Sequence, residues 1–346
     1  MIKYVQKKDI DFNLMKIYLQ DTIISNQFTN NGPVKSLLES RLENVLEIDS
    51  DKRVLCVSNG THALHSIYFY LLRRNPDIRI VSPSFTFPSC DVGFNNVDLI
   101  DISLDTYTLP LNEENLNKYD VFVITNLFGT YPNNISEWIS RVRSKGKVLI
   151  FDNASSPMSK FKGINISNLG DFSFGSLHHT KYMGFGEGGF LVVPKELYEE
   201  FTEIIGFGFK SNVINRVHNK NSSNFKMSDV SAGSILQHLE RYDFNAHLEI
   251  QKYFLDSIEN IKDLVTPFNF QDGTFYGNMP VLFKRTIGKD AFRSKGIEAH
   301  KYYYPLNQDI NSMNLFERII NFPLHSCLDK IQVDFMIASI KSVINE

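Results

Sequence analysis

Three short segments hold side chains that could do chemistry, and each sits where a strand gives way to a turn. In the first, Val54-Leu-Cys-Val-Ser-Asn-Gly-Thr-His-Ala-Leu64, an apolar run passes through Ser58-Asn-Gly-Thr61 into a helical pattern. The free N–H groups and dipole of a helix start make such a junction an anion site, and Gly60 lets the backbone approach a ligand closely. No lysine follows the glycine, so this is not a Walker loop. In the second, Val148-Leu-Ile-Phe-Asp-Asn-Ala-Ser155, Asp152 falls just past a buried strand, where open α/β sheets bind their ligands. A carboxylate there can hold the N–H of a heterocycle or a metal, but no neighbouring histidine or carboxylate supports a metal. The third, Asp171-Phe-Ser-Phe-Gly-Ser-Leu-His-His-Thr-Lys-Tyr-Met-Gly-Phe-Gly-Glu-Gly-Gly189, puts Lys181 between a strand and a glycine-rich run. A lysine in a tight, partly desolvated loop loses its proton more easily and becomes an imine-forming nucleophile. His178 and His179 are adjacent, not four residues apart, so they cannot form a helical metal pair. Taken singly, each segment also has a plainer reading: a β-α turn capped by Thr61, a helix cap at Asp152, a solvated charge at Lys181.

These turns need elements to hold them. Short apolar, β-branched runs at Val54–Val57, Arg79–Val81, Val97–Asp101, Val121–Thr125, Val148–Phe151, Asp171–Phe174 and Gly189–Val193 read as strands. Helical patterns at Pro33–Leu46, His62–Leu72 and Ile135–Ser144 fall between them. Alternation of this kind predicts βαβ units around a mostly parallel, buried sheet. From Ser228 the pattern changes: Ser228–Asp229 caps a long helical stretch through Leu239 towards Ile261, with turn signals near Asp243–Asn245. Strand-like pieces at Met279–Phe283 and Ala299–Tyr304 follow, then a last amphipathic helix near Gln332–Val343. The expected class is α/β, a large domain over residues 1–240 and a smaller C-terminal α+β domain over 241–346.

Composition narrows the partners. The net charge is −3 and the lysines and arginines are scattered, which gives no basic stripe for displacing the counterions of nucleic acid. Three cysteines far apart in sequence suggest neither a disulfide framework nor a zinc site, and thiols in a reducing cytoplasm are the simple reading. No uninterrupted apolar run is long enough to span a bilayer, so no membrane partner is expected. At 346 residues and 42% apolar content the chain can build a substantial core.

Together and in this order, the segments resemble one family, the DegT/DnrJ/StrS sugar aminotransferases. The resemblance runs through Asn31-Gly-Pro-Val34, Ser58-Asn-Gly-Thr-His-Ala-Leu64, Pro83-Ser-Phe-Thr-Phe87, Phe128-Gly129, Asp152-Asn-Ala-Ser155, Ser176-Leu-His-His-Thr-Lys181 and Gly186-Glu-Gly-Gly189. It ends on Gly296-Ile297, Tyr302-Tyr-Tyr-Pro-Leu306 and Pro323-Leu-His325. The chain departs from the family where Asn126 precedes Leu127-Phe-Gly129, a position that often carries histidine, and at Ser222-Ser-Asn-Phe225.

The resemblance implies an aspartate-aminotransferase-like fold (fold type I of the pyridoxal-phosphate enzymes) and pyridoxal 5′-phosphate as cofactor. Lys181 would hold the cofactor as an internal aldimine and shift the proton, while Asp152 would keep the ring nitrogen protonated. Gly60, Thr61 and Ser176 would bind the phosphate, Phe87 would stack on one ring face, Ala154 would leave room at the other, and Ser155 would reach the ring hydroxyl. Asn224, with Lys226 as the other candidate, would cross a homodimer interface to the partner's phosphate. The implied reaction moves an amino group from L-glutamate to a nucleotide-linked, by preference dTDP-linked, keto-6-deoxysugar in the cytoplasm. A pyridoxal-phosphate sugar dehydratase and a non-catalytic sugar-binding relative are the alternatives. The dehydratase branch carries histidine in place of the lysine.

Overall fold

A computed structural model describes residues 1–210, 213–214, 219–259, 261 and 271–345. Seven strands form the central sheet: β1 (Lys52–Val57), β2 (Ile80–Pro83), β3 (Val97–Ile100), β4 (Val121–Thr125), β5 (Val148–Asp152), β6 (Phe172–Ser176) and β7 (Gly189–Pro194). Their spatial order is β1-β7-β6-β5-β4-β2-β3. The pairs from β6 through β5, β4 and β2 to β3 are parallel, whereas β7 runs antiparallel to both β6 and β1. All seven strands lie where the sequence places them, with no end shifted by more than two residues.

The alternation of side chains explains how the sheet is covered on both faces. In β1, Leu55 and Val57 pack with one apolar cluster, while Val54 and Cys56 pack with another. In β4, Val121 and Val123 join the first face, and Phe122 and Ile124 turn to the opposite one. Helix α1 (Pro33–Val45) and helix α2 (Gly60–Arg74) take opposite faces through Val34, Leu38 and Leu42 and through Ala63, Leu64 and Ile67. Helix α3 (Ile135–Ser144) presses the fully buried Trp138 against Phe122. Removing a buried indole of this size costs about 3–5 kcal/mol.

Two helix starts meet at one carboxylate. Helix α4 (Tyr198–Ile205) packs beside α2, and helix α5 (Asp229–Leu239) begins at the Ser228 cap, whose hydroxyl accepts from the Ser231 N–H. The buried Asp229 accepts from the N–H groups of Val34 and Lys35 and from the Thr22 hydroxyl at 2.6–3.1 Å, so it caps α1 from a distance of almost two hundred residues. A Cβ at position 32 would lie 2.3 Å from an Asp229 oxygen, which accounts for the glycine in Asn31-Gly-Pro-Val34. One turn further, the buried Lys35 pairs with Glu39 at 2.6 Å, and Glu39 also accepts from the Cys56 N–H.

Beyond α5 the chain turns at the expected place and continues as α6 (Phe244–Glu259). The expected connector reached Ile261, but residue 260 lies outside the described residues, as do residues 262–270 of the expected second domain. The C-terminal part pairs β8 (Met279–Leu282) with β9 (Ile319–Phe322) and packs them against α6 and α7 (Lys330–Asn345) through Phe254, Val281, Phe322, Met336 and Ile340. The extreme N-terminus joins it, with Ile2 bridged in parallel to Ile297. The strand expected at Ala299–Tyr304 does not form. His300 makes one bridge to Asn321, after which the tyrosines leave the ladder for side-chain contacts. Among the described residues no helix is long and apolar enough to cross a membrane.

Candidate functional site

A cavity of about 510 Å³ opens at the carboxyl ends of the sheet strands, against the C-terminal part. It is lined by Gly60, Thr61, Phe87, Asp152, Ala154, Ser155, Ser176 and Lys181 together. Eight of the nine residues singled out from sequence therefore reach one space. The ninth, Asn224, is exposed, bridges to Gly206 and does not line the cavity of its own chain. Lys226 does not line it either; its ammonium sits 4.9 Å over the Phe207 ring.

Strand β5 ends on Asp152, which fixes the carboxylate at the cavity floor. It is 8% exposed and accepts from the Ala154 N–H at 2.9 Å. Burial pushes the carboxyl up to about 6, against the opposing pull of that N–H and of the Lys181 charge. Lys181 follows β6 on a tight turn closed by its own N–H to the His178 carbonyl and by Gly184 N–H to the Lys181 carbonyl. Burial lowers its ammonium pKa, and Asp152 pulls it back upward. A lysine held this way gives up its proton more readily than a surface lysine, which is what imine chemistry needs.

The opposite end of the cavity is built from backbone. Asn59, not Thr61, caps α2: its side chain accepts from the His62 N–H, and its carbonyl from Ala63 N–H. Position 61 lies inside the helix, so the expected threonine cap is corrected to the asparagine two residues before it. The Gly60 and Thr61 N–H groups are left to face the cavity at the positive end of a fifteen-residue helix. Ser176 closes this end, and a Cβ at position 60 would come within 3.2 Å of the Ser176 Cβ. Antiparallel β7 explains the last glycine of Gly186-Glu-Gly-Gly189, because a Cβ there would lie 2.2 Å from the Asn59 carbonyl carbon.

Other lining residues were given no role in the site from the sequence, although several stand in the motifs that carry the resemblance. Tyr303 stacks on Phe128 at 5.8 Å, and burial together with the Asp152 charge pushes its phenol up, with the Ser155 hydroxyl bond acting in the other direction. Tyr4 and Asn278 line the cavity too, and Tyr4 Oη and Asn278 Oδ1 are buried without a hydrogen-bond partner. His178 and Glu187 approach to 3.5 Å at the rim. The Tyr302-Tyr-Tyr motif pointed towards this end of the cavity. Nothing about Tyr4 or Asn278 marked them before the fold brought them there.

Sheet order and cavity first define a class, an aminotransferase of the aspartate-aminotransferase-like fold that depends on pyridoxal 5′-phosphate. The sequence profile of the DegT/DnrJ/EryC1/StrS aminotransferase family matches residues 13–341, and the chain belongs to that family. It is 24% identical to GDP-perosamine synthase of Escherichia coli O157:H7, over 84% of this chain and 82% of that one. It is 22% identical to dTDP-4-amino-4,6-dideoxy-D-glucose transaminase of Shigella dysenteriae, over 94% of each. A structure described as a putative PLP-dependent aminotransferase from Bacillus cereus ATCC 10987 shares the fold, with a TM-score of 0.84 and 20% identity over 98% of this chain and 99% of that one.

The cavity fits the cofactor. The two helix-start N–H groups and Ser176 suit a phosphate. The buried Asp152 carboxylate suits a protonated ring nitrogen, and the Phe87 ring, which also lines the cavity, suits an aromatic partner. Lys181 supplies the amine.

Proposed function

We propose that the protein transfers an amino group from L-glutamate to a nucleotide-linked keto-6-deoxysugar, with a dTDP-linked sugar preferred, and that Lys181 is the lysine that binds the cofactor covalently. The reading rests above all on one observation: Lys181 and the buried Asp152 share a cavity whose far end is the open start of α2. Two relatives are named for a GDP-linked and a dTDP-linked amino sugar, which supports a nucleotide-linked acceptor.

Bound pyridoxal phosphate supplies an electron-withdrawing ring that stabilises negative charge on the substrate carbon. The protein does the rest. Asp152 holds the proton on the ring nitrogen, and its burial makes that ion pair stronger than it would be in water. Lys181 would be the base that moves the proton at the donor's α-carbon, and at the sugar carbon in the opposite sense. Gly60, Thr61 and Ser176 anchor the phosphate, Phe87 covers one ring face, Ala154 keeps the other free, and Ser155 bonds the ring hydroxyl. Asn224, with Lys226 as the other candidate, serves the partner subunit's phosphate in a cytoplasmic homodimer. Its exposure, and its absence from the lining of its own cavity, fit that role. The division between the two domains falls at residue 240.

The test is an absorbance spectrum of the protein with pyridoxal phosphate, before and after L-glutamate, followed by dTDP- and GDP-linked 4-keto-6-deoxyhexoses with mass detection of product. A visible band that glutamate bleaches, and that the dTDP sugar restores with formation of an amino sugar, is expected. Absence of the visible band would overturn the role of Lys181. A band that glutamate leaves unchanged would overturn the donor, and a deoxygenated, unaminated sugar would point to the dehydratase.

A further inference from the structure

The first eleven residues run as a strap across the molecule. Ile2 bonds to the backbone at Gly296 and Glu298, the Lys3 carbonyl accepts from His325, and the Asp11 N–H bonds to the Gln237 side chain. Between these anchors, the Lys8 ammonium donates to three carbonyl oxygens of a single loop: His179 at 2.7 Å, Lys181 at 2.6 Å and Gly184 at 2.5 Å. No carboxylate pairs with Lys8 among the described residues. An ammonium has three donors and no acceptor, so three carbonyls match it, whereas a neutral amine could satisfy only two. Burial pulls this ammonium down to about 7. Backbone carbonyl oxygens are also the ligands with which proteins hold bare monovalent cations.

We propose that Lys8 is a positioning residue for Lys181: a tethered monovalent cation whose ammonium fixes the carbonyls of His179, Lys181 and Gly184, leaving a nest that accepts free ammonium or potassium once the side chain is removed. Apart from Lys8, the loop is held by packing and by neutral hydrogen bonds: Leu177, Tyr182 and Met183 are buried in the core, and the Tyr182 and Ser156 hydroxyls meet at 2.9 Å. Its internal bonds are the Leu177, His179, Lys181 and Gly184 N–H groups to carbonyls within the same turn, plus His238 on the Tyr182 carbonyl. Lys8 ties three carbonyls of the Lys181 turn to the N-terminal strap. The consequence for the cofactor rests on the reading of Lys181 given above, but the cation nest does not.

The experiment compares cofactor-free wild type, Lys8→Ala and Lys8→Met in tetramethylammonium chloride, with and without ammonium or potassium chloride. Two readouts are taken: amide-proton exchange over residues 177–188, and the rate at which added pyridoxal phosphate develops visible absorbance. In Lys8→Ala the loop is expected to lose protection at residues 177–188 and to capture the cofactor about 10- to 100-fold more slowly, the scale of a small misplacement of a reacting group. Ammonium or potassium restores both. Wild type ignores these ions, and so does Lys8→Met, whose methionine fills the space without a charge. Wild-type-like exchange in Lys8→Ala without added ions would overturn the proposal. So would a loss of protection spread over the whole chain, or a loop that neither ion restores. If Lys8→Ala does not fold, Lys8→Met decides: wild-type protection at 177–188 would overturn the proposal, and loss confined to that loop would uphold it. Should wild type develop no visible absorbance, the role of Lys181 fails while the exchange measurement still judges the cation nest.

Discussion

Replacing Asp152 by asparagine should stabilise the cofactor-free protein while disabling it. Asp152 is buried, and its carboxyl is pushed up to about 6 from the ordinary 3.8. Because the folded value is raised, the native state binds this proton more tightly than the unfolded chain does. The stabilisation that follows is fully present below about 3.8 and is lost as pH rises through about 6. At 1.36 kcal/mol for each tenfold change, the ionised carboxylate costs the empty fold about 3 kcal/mol at neutral pH. The attraction of Lys181 is already part of that balance. Asparagine keeps the shape and can still accept from the Ala154 N–H, but it carries no charge. With an unfolding entropy of about 0.7 kcal/mol/K for a chain this long, the gain corresponds to a rise of about 4 °C in Tm. Differential scanning calorimetry of both cofactor-free proteins at pH 4.5 and 7.5 measures it. The variant should melt higher at 7.5, and most of the difference should be gone at 4.5. Transamination by the same variant should fall by at least about 10²-fold, the scale of losing one charge-stabilising group. Equal melting temperatures at pH 7.5, or a difference that ignores pH, would refute the argument from burial.

Three other outcomes follow from the same structure. Lys181→Ala should fold with unchanged circular dichroism, develop no visible band with pyridoxal phosphate and lose amino transfer entirely; retained sugar amination would remove Lys181 from the chemistry. Asp229→Ala should strip the cap from α1 and leave the Val34 and Lys35 N–H groups unsatisfied, costing about 3 kcal/mol in chemical denaturation because three bonds to a buried charge are lost at once. Gly129→Ala should be at least as damaging: the backbone there has φ +109°, and an added Cβ would meet the Phe275 carbonyl oxygen at 2.1 Å. Recovery of less than half of the soluble wild-type yield is the expected readout.

The sheet was legible because its strands are short buried runs with punctuated ends. β4 is buried at every residue, and a run such as Val121-Phe-Val-Ile-Thr125 has no other comfortable home. Ile135–Ser144 was legible from its apolar spacing, and the start of α5 from its Ser228 cap. Ala299–Tyr304 misled because β-propensity reports a half-buried surface and not a ladder partner. After His300 the tyrosine rings pack against Phe128 and His300, and the backbone leaves the strand. Strand β9 and the helices Phe12–Tyr18 and Gln20–Ser25 gave too little pattern to be found. The first of these helices contains no buried residue at all.

The two ends of the cavity differ in the same way, and the difference is physical. The residues proposed for the cofactor stand at strand ends and in the first turn of a helix, in contiguous motifs at fixed spacing: Asp152 closes β5, Ser176 closes β6, and Gly60 opens α2. Local sequence dictates that geometry. The other end is assembled from Tyr4 on the strap, Asn278 just ahead of β8, and Tyr302 and Tyr303 beyond His300. These residues meet only because the C-terminal part and the N-terminal strap close over the sheet. The two buried polar atoms left unpaired there, on Tyr4 and Asn278, belong to this end. Buried polar groups without partners are costly unless something else satisfies them, and a hydroxyl-rich acceptor is the kind of ligand that would. The proposed cofactor residues were therefore readable in the chain before the fold was known, while the rest of the cavity depends on contacts that only the folded molecule creates.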